Sequence, residues 1–360
     1  MSAKPMPAKP MRAKPMPANG MWVALLVAVP LLGQTRGGPL ERIQNAPLTP
    51  DERRGVTTSF SQKDFDRLEA ILLEANIAGA TTSEELKDRT ARRGALLGAL
   101  EFLGGRMDRA VQAFRQADGL SPLDDRDRFT LSMALVDLGE VKASRTELTR
   151  LNERHPGQPI YLYWLARLDY GQRLYDDAVE KFKRVTNMDP ASVRGYDNLG
   201  LSYDMMGLTE EAQTAFAKAA ALNRKLPAPS PWPPHNLGYV QFRLQQFDAA
   251  EANLREALKY DPKFALAHYH LARVLDNEGR DNGRENQTRE NQGRDNQGRD
   301  NQGRNDAAIE EYKTAAALDV KLAAPLYSLG LLYRRQGREA EAASALAEYR
   351  RRKALTADSQ

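Results

Sequence analysis

Apolar residues return at helical spacing along most of this chain, and they keep one long register. Leu97, Leu131, Leu165 and Leu199 stand 34 residues apart, and Leu237, Leu271 and Leu329 continue the series once insertions of 4 and 24 residues are set aside. With each leucine as position 7, the chain divides into units 91–124, 125–158, 159–192, 193–226, 231–264, 265–322 and 323–356. Position 8 is always small (Gly98, Ser132, Ala166, Gly200, Gly238, Ala272, Gly330), as is position 20 (Ala110, Ser144, Ala178, Ala212, Ala250, Ala308, Ala342). Position 24 is always large: Phe114, Leu148, Phe182, Phe216, Leu254, Tyr312 and Leu346. Small residues facing a large one let two antiparallel helices approach closely, so each unit is predicted to be a helix hairpin. Glycine at position 15 (Gly105, Gly139, Gly207, Gly337) suits the turn between the helices, and proline at position 32 (Pro122, Pro156, Pro190, Pro262) stops the second. No such hairpin can bury its apolar face alone, so the units must stack into an all-α solenoid.

The flanks and interruptions read differently. Residues 36–60 are polar with proline and glycine, which predicts a linker, and 61–90 carry Phe65, Leu68, Ile71 and Leu72 at helical spacing, which predicts capping helices ahead of the array. Five prolines fall within 227–234, so regular helix is excluded until about Pro234, which can serve as a first-turn residue, and a four-plus-three division of the array is expected. That joint is either a stiff spacer or a bend whose gap Trp232 fills. Residues 281–304 repeat the pentad Arg-Glu/Asp-Asn-Gln-Gly/Thr without an apolar side chain, which predicts a solvated loop. Lengthening a turn from about 4 to about 28 residues costs only ~1.7 kcal/mol in closure entropy, so the repeat tolerates it. The tract is either an expansion without a role or a flexible arm for a partner.

The units resemble tetratricopeptide repeats, whose pattern is W-x2-L-G-x2-Y, then A-x3-F, then P. The fourth unit matches it best with Tyr196, Leu199, Gly200, Tyr203, Gly207, Ala212, Phe216 and Ala219, and the resemblance spans nearly all of 91–356. Departures fall at position 11, where Glu101, Asp169 and Gln241 stand, and at position 32, where Arg224 and Val320 stand. The resemblance implies a right-handed α-α superhelix whose first helices line a concave groove through positions 2, 5, 9, 12 and 13. Carried over, those positions give Tyr163, Arg167, Tyr170, Asp204, His235, Tyr239, Phe242, Tyr269, Arg273 and Tyr327, an aromatic and arginine-bearing set suited to binding a peptide or protein. Rings at positions 5 and 12 can instead pack between neighbouring helices. Some family members grip a terminal carboxylate through paired lysines around an Asn at position 6. Asn198 and Asn236 hold that position here, but the lysines are missing, so no such clamp is expected.

Charge and composition remove other function classes. The formal charge is +4, but Lys4, Lys9, Arg12 and Lys14 occupy residues 1–35 without an acid, so the remainder is neutral and lacks the basic stripe that nucleic acid requires. Those cations precede an apolar run from Trp22 to Leu32, which predicts a signal peptide and export to a periplasmic or secreted location. The alternatives are a disordered leader on a cytoplasmic chain or an uncleaved leader that tethers it to the membrane. Eleven residues of helix rise about 16 Å, too short for an integral span. There is no cysteine, and His268 and His270 lie two apart on different helix faces, so neither thiolate nor helix-borne zinc chemistry is expected. No phosphate loop, nucleophile elbow or triad occurs. The expectation is a non-enzymatic, cofactor-free adaptor, or alternatively a subunit that assembles through its solenoid ends.

Overall fold

In a computed structural model the described residues are 39–73, 82–285 and 294–357. They form helices without strands: α1 (Pro39–Asn45), α2 (Pro50–Gln62), α3 (Phe65–Leu73), α4 (Ser83–Leu103), α5 (Met107–Leu120), α6 (Asp125–Asp137), α7 (Val141–Arg154), α8 (Pro159–Gly171) and α9 (Tyr175–Met188) in a first compact unit, Met1–Met188. A second, Asp189–Gln360, holds α10 (Val193–Met205), α11 (Thr209–Asn223), α12 (Trp232–Arg243), α13 (Phe247–Tyr260), α14 (Ala265–Glu285), α15 (Arg294–Leu318), α16 (Ala324–Arg335) and α17 (Glu339–Ala357). The predicted leader lies outside the described residues. Among the described residues no helix is long and apolar enough to cross a membrane.

The seven hairpins fall where the leucine register puts them, and their contacts show why positions 8, 20 and 24 are constrained. A Cβ added at Gly98 would lie 2.8 Å from the Phe114 ring, at Gly200 2.6 Å from Phe216, at Gly238 2.8 Å from Leu254 and at Gly330 2.7 Å from Leu346. Position 8 is therefore small because the large side chain of position 24 lies against it. In the second repeat serines take both small places, and Ser144 donates its hydroxyl to the Ser132 carbonyl at 3.0 Å. All seven register leucines are buried.

At the hairpin turn the backbone of Gly105, Gly139, Gly207 and Gly337 is left-handed, with φ between +73° and +78°. Arg173 and Gln245, at position 15 of the two repeats without that glycine, adopt φ 64° and 59°. Turn geometry thus overrides residue type, at a steric cost to the side-chain-bearing residues.

Each departure at position 11 has a partner. Glu101 is buried 3.0 Å from Arg106, Asp169 lies 2.8 Å from both Arg145 and Lys181, and Gln241 accepts from the Asn253 amide at 2.8 Å. Burial raises the pKa of Glu101, with the Arg106 charge opposing it.

Three expectations need correction. The described part of the predicted linker 36–60 is helical: α1 and α2 fall in 39–60, and Thr49-Pro50-Asp51-Glu52 is a capping box with proline in the first turn, a start signal hidden by the polar composition. The array does not divide at the prolines, because the compact units part between Met188 and Asp189. Ala212, Phe216 and Ala220 instead share a core with Leu237 and Val240 across the proline segment, and buried Asn223 ties the segment down through Ser230, donating to its carbonyl at 2.8 Å and accepting from its amide at 2.9 Å. Nor is 281–304 a loop at its flanks, since α14 continues to Glu285 and α15 begins at Arg294. Those flanks extend helices already nucleated by packed segments, so propagation carries through despite the weak helix propensity of their Gly, Asn and Asp residues.

The N-terminal helices close the first repeat through one buried cation. Arg93 on α4 donates to Glu52 at 3.0 Å and to the carbonyls of Leu72 at 3.2 Å and Ile71 at 2.7 Å. The Glu52 carboxyl is held below its ordinary pKa: burial pushes it up, but hydrogen bonds from Arg93 and Thr49 outweigh that.

Candidate functional site

The predicted groove residues fall in both units. In the first, Tyr163 is buried, its ring 5.7 Å from Trp164 and 5.8 Å from Phe182, so it packs between helices. Arg167 and Tyr170 are half-buried, and Tyr170 meets Tyr175 at 5.6 Å.

In the second unit the first helices of successive repeats are linked side chain to side chain. Asp204 on α10 pairs with Arg243 on α12, and Asp197 on α10 accepts from the Asn236 amide at 3.0 Å. Between α12 and α14, His235 meets Nδ1 of His270 through Nε2 at 2.9 Å, the Tyr239 ring stacks on His270 at 4.6 Å, and the Arg273 guanidinium lies 4.5 Å over Phe242. From α14 to α16, Asp276 pairs with Arg335. These contacts join His235, Tyr239, Phe242, Tyr269 and Arg273 in one connected cluster, in which His235 and Tyr269 are buried and Tyr239, Phe242 and Arg273 are half-buried. Tyr327 is more exposed, with Tyr349 5.3 Å away.

The polarity of the central chain follows from donor and acceptor counts. The Asp197 carboxylate accepts, so the Asn236 amide nitrogen faces it and the Asn236 oxygen faces Nδ1 of His235 at 3.0 Å. His235 Nδ1 therefore carries the proton and Nε2 accepts from Nδ1–H of His270, whose own Nε2 has no hydrogen-bond partner among the described residues. Both rings are neutral: burial lowers His235 to about 4 and His270 well below 6.5, the latter helped by the repulsion that a second proton on the pair would meet and by the nearby Arg273 charge. This chain fixes His270 against Tyr239 and sets the tilt of that ring. Only half of it was legible in the sequence: the register places His235 and Asn236 opposite the next repeat, but nothing in spacing says that two histidines will share one proton-bearing contact.

His268, the other member of the pair rejected as a zinc site, points elsewhere. Its Nδ1 is 2.5 Å from Glu311 and its Nε2 is 2.9 Å from the Pro262 carbonyl. Two acceptors require two N–H donors, so this ring is an imidazolium, and the Glu311 hydrogen bond raises its pKa against the effect of burial. No cluster of three metal-ligating side chains occurs among the described residues.

The aromatic surface is built on a repeat that comparison with known proteins identifies. Family models described as tetratricopeptide repeat match residues 129–193, 193–226 and 235–281, and one described as TPR repeat matches 301–337, together about half of the chain. The chain belongs to the tetratricopeptide repeat family. The first repeat, 91–124, and the end of the last lie outside the matched stretches, yet their hairpins show the same contact between positions 8 and 24. Among solved structures, the chain is similar to PilW, described as a widely conserved type IV pilus biogenesis factor, at 19% identity and TM-score 0.50, over 62% of this chain and 91% of that one. It is also similar to YrrB, a TPR protein with an unusual peptide-binding site (18% identity, TM-score 0.43, 59% of this chain and 98% of that one). A third is yeast Tom70 (16% identity, TM-score 0.46, 88% of this chain and 61% of that one). At these identities the likeness to PilW speaks for the fold alone. No curated protein matches the chain.

Proposed function

We propose that this protein is a non-enzymatic adaptor that binds a protein segment on the face formed by the first helices of its second unit. The observation that carries this reading is the contiguous cluster of half-buried Tyr239, Phe242 and Arg273 over buried Tyr269, which contact one another or a shared neighbour across α12 and α14. Rigid rings already held by their neighbours lose little entropy when a partner covers them, and a planar cation among them adds directional bonding. Apart from Arg273, titratable side chains nearby, the His235–His270 pair included, are held by protein partners or kept neutral, and no nucleophile with an adjacent base is among the described residues there.

Replacing Tyr239 and Tyr269 together by alanine tests the reading. A photoreactive residue at Phe242 should crosslink a protein partner in cells, whereas the same probe at exposed Arg255 on α13 should not. The double replacement should abolish the first crosslink with helicity retained by circular dichroism. Equal crosslinking from Arg255 would move the binding face to the second helices.

A further inference from the structure

The charged groups of this face do not balance. Each of its acids is engaged within the unit: Asp197 by Asn236, Asp204 by Arg243 and Asp276 by Arg335. Two of its cations are engaged by those same acids. Arg273 is the exception: it is half-buried, stacked 4.5 Å from the Phe242 centroid and 5.7 Å from that of Tyr269, and no carboxylate among the described residues pairs with it. Cation–π contacts hold the guanidinium plane by its flat faces and leave its N–H edge free for an acceptor.

The neighbouring groups are donors as well. The Tyr239 and Tyr269 hydroxyls have no hydrogen-bond partner among the described residues, and the Arg273 charge and the Tyr269 phenol both act on the Tyr239 phenol, so the three groups share one neighbourhood. His235 and His270 add no charge, since both are neutral. A guanidinium edge with two phenol donors, walled by Phe242, is a cradle for a carboxylate carried beside an apolar residue. It is also distinct from a clamp on a chain terminus, because Arg273 stands at position 9, not beside the position-6 asparagines.

We infer that the partner segment presents an acidic side chain, aspartate or glutamate next to an apolar residue, whose carboxylate Arg273 binds between Tyr239 and Tyr269. This rests on the proposed binding face, and the experiment separates the two. Full-length protein is immobilised and exposed to octapeptide pools, acetylated and amidated at their ends, randomised in apolar residues around a central Glu in one pool and a central Gln in the other. A third pool carries the central Gln and a free C-terminal carboxylate.

The Glu pool should be retained about tenfold more strongly than the Gln pool, as a charge-assisted bidentate bond predicts. Arg273→Gln should erase that preference while leaving weak retention of both pools, and Arg273→Lys should restore only part of it, since a point charge cannot make the paired bonds. Circular dichroism and thermal midpoints of both variants should match the parent. Equal retention of the Glu and Gln pools by the parent protein would overturn the inference and leave the face standing. Strongest retention of the free-terminus pool would also overturn it, in favour of a chain end. Retention of none would remove the face and the inference together.

Discussion

In the first unit Arg128 lies 2.7 Å from Asp118 and 2.6 Å from Glu147, Asp169 sits between Arg145 and Lys181, and Arg93 is enclosed by the capping helices, whereas in the second Arg273 rests on two rings with no acid facing it. Both units are made from one hairpin with the same small-to-large contacts, so the difference does not come from the fold. It comes from what occupies the positions that the hairpin leaves free. Charges in the first unit close on one another and hold repeats together, while the first helices of the second, beside the pairs Asp204–Arg243 and Asp276–Arg335, also carry rings and histidines packed on one another. A buried cation with all its acceptors in place stabilises through specificity and is costly to disturb, and a stacked cation with an open edge is available to a ligand.

The largest effect should come from opening the closed network. Arg93→Met leaves Glu52 and the carbonyls of Ile71 and Leu72 without their donor, and should cost about 3 kcal/mol, concentrated where α2, α3 and α4 meet. Hydrogen exchange should accelerate in 39–73 and the first repeat, with the second unit unchanged. Uniform acceleration over both units would mean that they do not open separately.

A smaller effect follows from acid, and it should fall on the second unit. His235 and His270 have folded pKa values depressed below the ordinary 6.5, so the unfolded chain takes up protons first. Their contribution is complete above about pH 6.5 and is lost as the pH falls toward 4, whereas that of His268, whose pKa is raised, is present below 6.5 and lost as the pH climbs through its folded value. The pair therefore gives a loss on acidification that His268 opposes. Urea midpoints at about pH 7.5 and about pH 5 should differ for the parent, and His235→Phe with His270→Phe should shrink or reverse the difference. An unchanged pH dependence in that variant would deny the pair its role.

The smallest effect treats the units alike. Gln245→Gly in the second and Arg173→Gly in the first relieve left-handed backbone at equivalent turns, and each should raise stability by about 0.5–1 kcal/mol. A gain in one and not the other, read from thermal midpoints, would show that the turns are not equivalent after all.

Much of the fold was open to reading because a repeat states its own constraints seven times. Leu199, Gly200, Ala212 and Phe216 need no partner beyond their own hairpin, so spacing alone reveals them. The capping helices were harder, since the box at Thr49 and Glu52 occurs once, within a polar stretch that looks like a tether. The candidate face was legible as a register of positions and no further. Tyr163 and Tyr269 share position 5, yet the first packs against Trp164 and Phe182 and the second beneath Arg273.

From the amino-acid order alone came the all-helical class, the hairpin period, the small and large places and the turn at position 15, because each depends on residues a few helical turns apart. Tertiary structure decided where the array divides, how the flanks of 281–304 run on as helix, which histidine is charged and that Arg273 rests on rings without a carboxylate partner among the described residues. Those properties depend on burial and on partners some 35 to 60 residues away, such as His235 with His270 and Asp276 with Arg335, and no local pattern encodes the company a side chain keeps after stacking.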